Sequence, residues 1–210
     1  MNFKTFNQHL QKVIQKPLGG LSILLEMAPE IRKKVSEDSI AEKKPRKAAV
    51  IALFYPNKQG ETCFSLMERA QYNGTHSAQI SFPGGKEDPS DTNLEHTALR
   101  ETEEEFGINA NNIHIIKELT TTYIPPSNFL VTPFIGICNS TPLFTPNNEV
   151  ASIIEIKVVE LLKEENSNTT KISTSYQTDM ETPCFNLNGH IVWGATAMML
   201  NEIKHMLKHE

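Results

Sequence analysis

Cysteine is scarce in this sequence. The three present, Cys63, Cys138 and Cys184, lie far apart and show none of the short spacings of a metal site. An odd, sparse set excludes a disulfide framework and suits reduced thiols in the cytoplasm, each packing as a small buried hydrophobe. Long apolar runs are missing as well. The longest, such as Ala48 to Tyr55, fall far short of the roughly 20 residues that cross a bilayer, which argues against a membrane partner. The opening MNFKTFNQHLQK lacks the apolar segment of a secretory leader, so the expected location is cytoplasmic. Positive charge is not in excess. A formal net charge of -5 gives no support to nucleic-acid binding. Internal repeats and low-complexity tracts are absent too. What is present, 39% hydrophobic and 21% charged residues in a chain of 210, is the balance of a soluble globular protein.

Phe3, Phe6, Leu10, Val13 and Ile14 recur at helical spacing and predict an amphipathic helix that ends before Pro17-Leu18-Gly19-Gly20. Residues 33–47 are polar and charged, which predicts a connector. The apolar run Ala48 to Tyr55 predicts a strand buried on both faces. Cys63 to Glu68 returns as a second strand after the turn Pro56-Asn57-Lys58-Gln59-Gly60, and Gln79 to Phe82 makes a short third. Thr92, with Glu95 three residues on, has the form of a capping box and opens a helix. Leu94, Ala98, Thr102 and Phe106 give that helix a buried stripe, and Gly107 ends it in a left-handed cap. Ile113 to Tyr123 and Phe129 to Cys138 read as two strands split by Pro125-Pro126, and Val150 to Val158 as another. Val159 to Lys163 is a short helical piece and residues 164–170 a loop. Lys171 to Tyr176 and His190 to Trp193 predict short strands. A last helix runs from about Ala195 to Leu207, with Met198, Met199, Ile203, Met206 and Leu207 in the core. Strands mixed with a few helices place the fold in the α/β (α+β) class, as an α+β domain or an α/β/α sandwich.

The helix that ends at Gly107 carries Glu101, Glu103, Glu104 and Glu105 in its last turns. Like charges at helical spacing repel, and the helix C-terminus already disfavours negative charge. At about 100° per residue Glu101, Glu104 and Glu105 share one sector, while Glu103 points elsewhere. Such a face is either a solvated acidic surface or a set of oxygen ligands for a hard divalent cation, Mg²⁺ or Mn²⁺. Two neighbours favour the second. Gly84-Gly85 suits a backbone that approaches a ligand closely. Arg100 is placed to orient a carboxylate through a bidentate pair.

The stretch Gly85 to Ile108 resembles the Nudix box, G-x5-E-x7-R-E-U-x-E-E-x-G-U, in which U is a bulky aliphatic residue. Arg100 to Ile108, RETEEEFGI, matches its second half with Thr102 at the first U. One extra residue precedes Arg100, and allowing for it sets Gly85 and Asp91 at the glycine and acidic positions. The sequence is similar in this respect to the coenzyme A diphosphatase branch, which has the form FPGGK-x-D-x-x-D…TALRE. His76, Gln79 and Phe82-Pro83-Gly84-Gly85 match that branch's upstream motif, with Ala70 and Ala78 where it has serine and glycine. Met27 to Arg32, Ser127 to Pro133, Glu149-Val150-Ala151 and Trp193 to Ala197 resemble further segments of the same branch, in order.

The resemblance implies a Nudix-type α/β/α sandwich with a mixed β-sheet over residues 46–210, preceded by a helical extension over 1–45. It implies a Mg²⁺- or Mn²⁺-dependent hydrolase with a small-molecule nucleoside diphosphate as partner. Coenzyme A would be cut to 4'-phosphopantetheine and adenosine 3',5'-bisphosphate. The alternatives are a Nudix hydrolase of another nucleoside diphosphate, such as ADP-ribose or a dinucleotide, and a non-catalytic Nudix-fold binding module. By the same resemblance Glu101, Glu104, Glu105 and the Gly85 carbonyl hold metal. Arg100 orients a glutamate, and the base is Glu104 or Glu105, with Glu149 a further candidate. Arg69, His76, Gln79 and Lys86 are the expected substrate contacts, and a homodimer stays open. Tyr123, Phe129 and Trp193 are either adenine-stacking residues or core.

Overall fold

The computed structural model describes residues 1–30, 40, 42–70, 79–173 and 178–208. Helix α1 (Phe3–Val13) is capped by Asn2, whose side chain accepts from the Lys4 amide. It buries Phe6, Leu10 and Val13, one residue per turn along one face, as the sequence spacing requires. A second helix, α2 (Gly20–Glu26), follows directly. The predicted first helix ends before Pro17, and α1 does so. Gly20 starts α2 at φ +66, with its amide held at 3.1 Å by the Glu202 carboxylate from the far end of the chain.

The sheet is built on β1 (Arg46–Pro56). Beside it lie β2 (Thr62–Arg69) and β7 (Phe129–Ile137), the latter parallel. β3 (Ile80–Ser81) and β8 (Val150–Lys157) extend the sheet from β2. β4 (Gly84–Lys86) pairs with β1, and β5 (His114–Glu118) and β6 (Thr122–Ile124) pair with β7. The result is one mixed eight-stranded sheet. β1 starts two residues before its apolar run because Arg46 and Lys47 are already in register with Phe129 and Leu130 of β7. Backbone pairing, not hydrophobicity, sets that end.

Alternation along β1 divides the core in two. Ala48, Ala52 and Phe54 pack in one core with α1, the short helix α4 (Val158–Leu162) and helix α5 (Gly194–Lys208). Ala49, Ile51, Leu53 and Tyr55 pack with helix α3 (Leu94–Phe106). Helices therefore cover both faces of a mixed sheet, as expected. All five core positions expected in the last helix are buried, and so are all three cysteines. Among the described residues no helix is long and apolar enough to cross a membrane.

Several expectations are corrected. The cap of α3 is Asn93, which accepts from the His96 amide at 2.8 Å, and not Thr92 with Glu95. Asparagine is as good an N-cap as threonine and stands one residue nearer the first turn. In the predicted stripe Ala98, Thr102 and Phe106 are buried, while Leu94 is half-buried against the same core. The run Ile113 to Tyr123 is two strands. It breaks at Thr120, whose amide and hydroxyl both donate to buried Glu202 of α5. The expected loop 164–170 holds a 3₁₀ turn and the start of β9 (Ser167–Ile172). β9 therefore begins earlier than the predicted Lys171 strand, and residues 174–177 lie outside the described residues. β9 pairs with β10 (Met180–Leu187), and β10 with β11 (His190–Trp193), in a separate sheet. An edge strand facing solvent reads as loop because its outward side chains are polar.

Candidate active site

β4 brings three residues, Gly84, Gly85 and Lys86, against Val50, Ala49 and Ala48 of β1. Gly84 sits at φ +146, and a Cβ there would run into the Ala49 carbonyl and the Val50 backbone. Only glycine fits. A Cβ on Gly85 would occupy the place of the Glu101 carboxylate, which lies directly over it. The glycine pair thus lets α3 settle close to the strand.

Glu105 is buried. One carboxylate oxygen accepts from the Gly84 amide at 2.7 Å, and the other lies 3.5 Å from the Arg69 guanidinium. Burial pushes its pKa up to about 8, against the opposing effects of the Gly84 hydrogen bond and Arg69. Burial also raises Glu101. Arg69 reaches Glu149 as well, at 3.7 Å, and so stands between two carboxylates. Glu103 is apart from the others, bonded to the Asn109 side chain and the Ala110 amide.

Arg100 organises the rest. Its Nε and Nη2 form a bidentate pair with Asp91, each bond 2.9 Å. Nη1 donates to Glu101 at 2.9 Å and to Glu104 at 3.3 Å, and Nη2 reaches the Lys86 carbonyl at 3.2 Å. Asp91 itself has no exposed side-chain surface and also accepts from Thr97 Oγ1 and the Asp88 amide. The Arg100 hydrogen bonds hold its carboxyl well below the usual carboxylate range. Asp91 therefore anchors Arg100, and its signal in the sequence is the acidic position of the box, reached only through the extra residue.

The structure brings Gly85, Lys86, Arg69, Arg100, Glu101 and Glu105 together. Glu104 stands at the exposed rim, its side chain 54% accessible. His76 lies outside the described residues. Gln79 accepts from the Arg69 amide through its carbonyl. It also lines, with Arg69, Gly84, Gly85 and Lys86, a cleft of about 680 Å³. The cleft runs over Ala48, Val50, Val131 and Phe129, and is closed by residues 124–127 and by the junction of β11 and α5. Its lining is mostly apolar. Phe129 and Trp193 belong to it, while Tyr123 is buried.

The donor set fits a hard divalent cation. Glu101 and Glu105 offer carboxylate oxygens, and burial disfavours the ionised form of each, a cost that a bound cation would offset. The absence of a side chain at Gly85 leaves the Glu101 carboxylate its place. Among the described residues no three acidic, histidine or cysteine side chains already converge, and Glu104 is bonded to Arg100 instead.

A family model described as "NUDIX domain" matches residues 44–173. A Yersinia enterocolitica protein named "Uncharacterized Nudix hydrolase NudL" is 32% identical over 151 residues, covering 68% of this chain and 73% of that protein. A Yersinia pestis protein of the same name is 31% identical over 151 residues, covering 68% and 71%. Among solved structures, a MutT/nudix family protein from Enterococcus faecalis aligns with 96% of this chain and 71% of its own, at 15% identity and a TM-score of 0.49.

Proposed function

The chain belongs to the Nudix hydrolase family, and from that premise we propose that it hydrolyses the diphosphate bond of coenzyme A or its derivatives. The products are 4'-phosphopantetheine and adenosine 3',5'-bisphosphate. The observation that carries this reading is the largely apolar cleft of about 680 Å³ that ends at Gly84, Gly85 and Lys86, beside the Glu101 and Glu105 carboxylates. A long substrate with an uncharged arm and a central diphosphate suits a site of that form. The agreement of the FPGGK segment and the extra residue before Arg100 with the coenzyme A branch supports it.

Glu101 and Glu105, with the Gly85 carbonyl, are the residues that would hold Mg²⁺ or Mn²⁺, and Glu104 is the third carboxylate within their sector. A bound divalent ion supplies charge neutralisation at the phosphoryl oxygens and a more acidic water. The chain's own residues do the positioning. Arg100, fixed by Asp91, sets the Glu101 carboxylate. Arg69 and Lys86 face the diphosphate oxygens from the cleft, with Gln79 and His76 as further contacts. Glu104 or Glu105 takes the proton of the attacking water. Residues 46–210 form the hydrolase domain in this proposal, and 1–45 an extension folded onto it through α1.

The test is incubation of purified protein with coenzyme A and Mg²⁺ or Mn²⁺, with products identified by mass. A panel of ADP-ribose, NADH and dinucleotides runs beside it. Cleavage of a panel member without cleavage of coenzyme A moves the assignment to another nucleoside diphosphate.

A further inference from the structure

Beside the cleft stands a further cation, Arg46, which touches two of the lining residues, Phe129 and Ser127. Arg46 starts β1 on the face that holds Ala48 and Val50, both cleft residues. Its register partner in β7 is Phe129, also in the lining. The Arg46 guanidinium lies over the Phe129 ring, 4.2 Å from its centroid, and Nη2 donates to the Ser127 carbonyl at 3.0 Å. Stacking and one hydrogen bond therefore hold the planar group in place without neutralising it. Arg69 and Arg100 each face carboxylates. Among the described residues no carboxylate makes an ion pair with Arg46. A fixed guanidinium with open donors, packed on residues that line an apolar cleft, is suited to an anion that takes a bidentate pair.

Its position says which anion. Lys86 is paired with Ala48, so it sits on the same face, between Gly85 and Arg46. From Ala48 to Arg46 is two residues of strand, roughly 6.6 Å, the span of one ribose. We propose that, with the diphosphate at Gly85 and Lys86, the nucleoside lies over Ala48 and Phe129 and Arg46 binds a phosphomonoester on its ribose, and so selects 3'-phosphorylated nucleotides. This rests on the coenzyme A reading above and adds to it the residue that tells coenzyme A from its dephosphorylated form.

The experiment is calorimetric titration with adenosine 3',5'-bisphosphate and with 5'-AMP, in the wild type and in Arg46→Ala, Arg46→Lys and Lys47→Ala. Lys47 is the next residue, exposed and on the opposite face of the strand. The wild type is expected to prefer the bisphosphate by roughly tenfold or more, the size of one charge-assisted contact. Arg46→Ala removes most of that preference and leaves AMP affinity within about twofold, because only the added phosphate meets Arg46. Arg46→Lys keeps part of it, and Lys47→Ala keeps it all. Equal weakening of both ligands by Arg46→Ala, no preference in the wild type, or an equal loss in Lys47→Ala overturns the proposal. Unfolding midpoints are measured alongside, and Arg46→Lys carries the test should the alanine variant fail to fold. Binding needs no turnover, so the two readings separate. Intact preference without coenzyme A cleavage sinks the function and keeps the subsite, and cleavage without preference does the reverse.

Discussion

At the scale of single residues, four glutamates that look alike in sequence have different surroundings. Glu105 is buried against Gly84 and Arg69, and Glu103 is exposed and capped onto the next turn. Glu105→Gln is expected to lower kcat by roughly a hundredfold or more, while Glu103→Gln changes it by less than about threefold. Steady-state assays of the two variants check this, and equal losses would show that the helix face does not sort the carboxylates. Asp91 acts through Arg100. Its proton binds less readily in the native state than in the unfolded chain, because Arg100 favours the carboxylate. That stabilisation is complete above the ordinary carboxylate value and is lost as pH falls through the lower native one. Asp91→Asn should therefore show a smaller drop in stability between about pH 5 and pH 2 than the wild type. It should also lose about 10- to 100-fold in activity, as Glu101 is no longer held. The glutamate sector was legible because 100° per residue is a local rule. The anchor role of Asp91 was not, since it depends on the turn at Asp88 to Asp91 folding back on the helix.

At the scale of elements, β4 is the piece that the sequence concealed. A glycine pair reads as a turn, yet here it is a strand whose bare backbone admits α3. The two glycines should respond differently to alanine. At Gly85 the obstacle is the end of the flexible Glu101 side chain. Gly85→Ala should leave the unfolding free energy within about 1.5 kcal/mol and cost activity about tenfold or more, as the carboxylate is displaced. At Gly84 the obstacle is backbone and φ is positive. Gly84→Ala should lower stability by about 2 kcal/mol or more. Urea denaturation with parallel assays separates the two, and identical profiles would contradict the geometry. Elsewhere legibility followed periodicity. β1 and α5 were plain because burial repeats along them. α2 and β9 were not, since one is set by a distant carboxylate and the other is a polar edge.

At the scale of the whole molecule, the two apolar layers leave no thiol at the surface. Cys63, Cys138 and Cys184 are all buried and free, and burial pushes the Cys63 thiol up to about 12. The native protein should resist a disulfide reagent at about pH 8 and keep its activity, because all three thiols are buried out of the reagent's reach. Full labelling is expected only on unfolding, and fast labelling of the native state would show that the core opens locally. The central sheet also separates two tasks that one substrate requires. On β1, odd positions such as Ala49 back the helix that carries the carboxylates, and even positions such as Ala48 and Val50 form the floor of the cleft. On the proposed function, a change at Ala48 or Val50 touches what is held, and a change at Ala49 touches how it is cut. In a lineage, the two sets of positions can therefore drift at separate rates. Descendants can take up new molecules without having to reinvent the reaction.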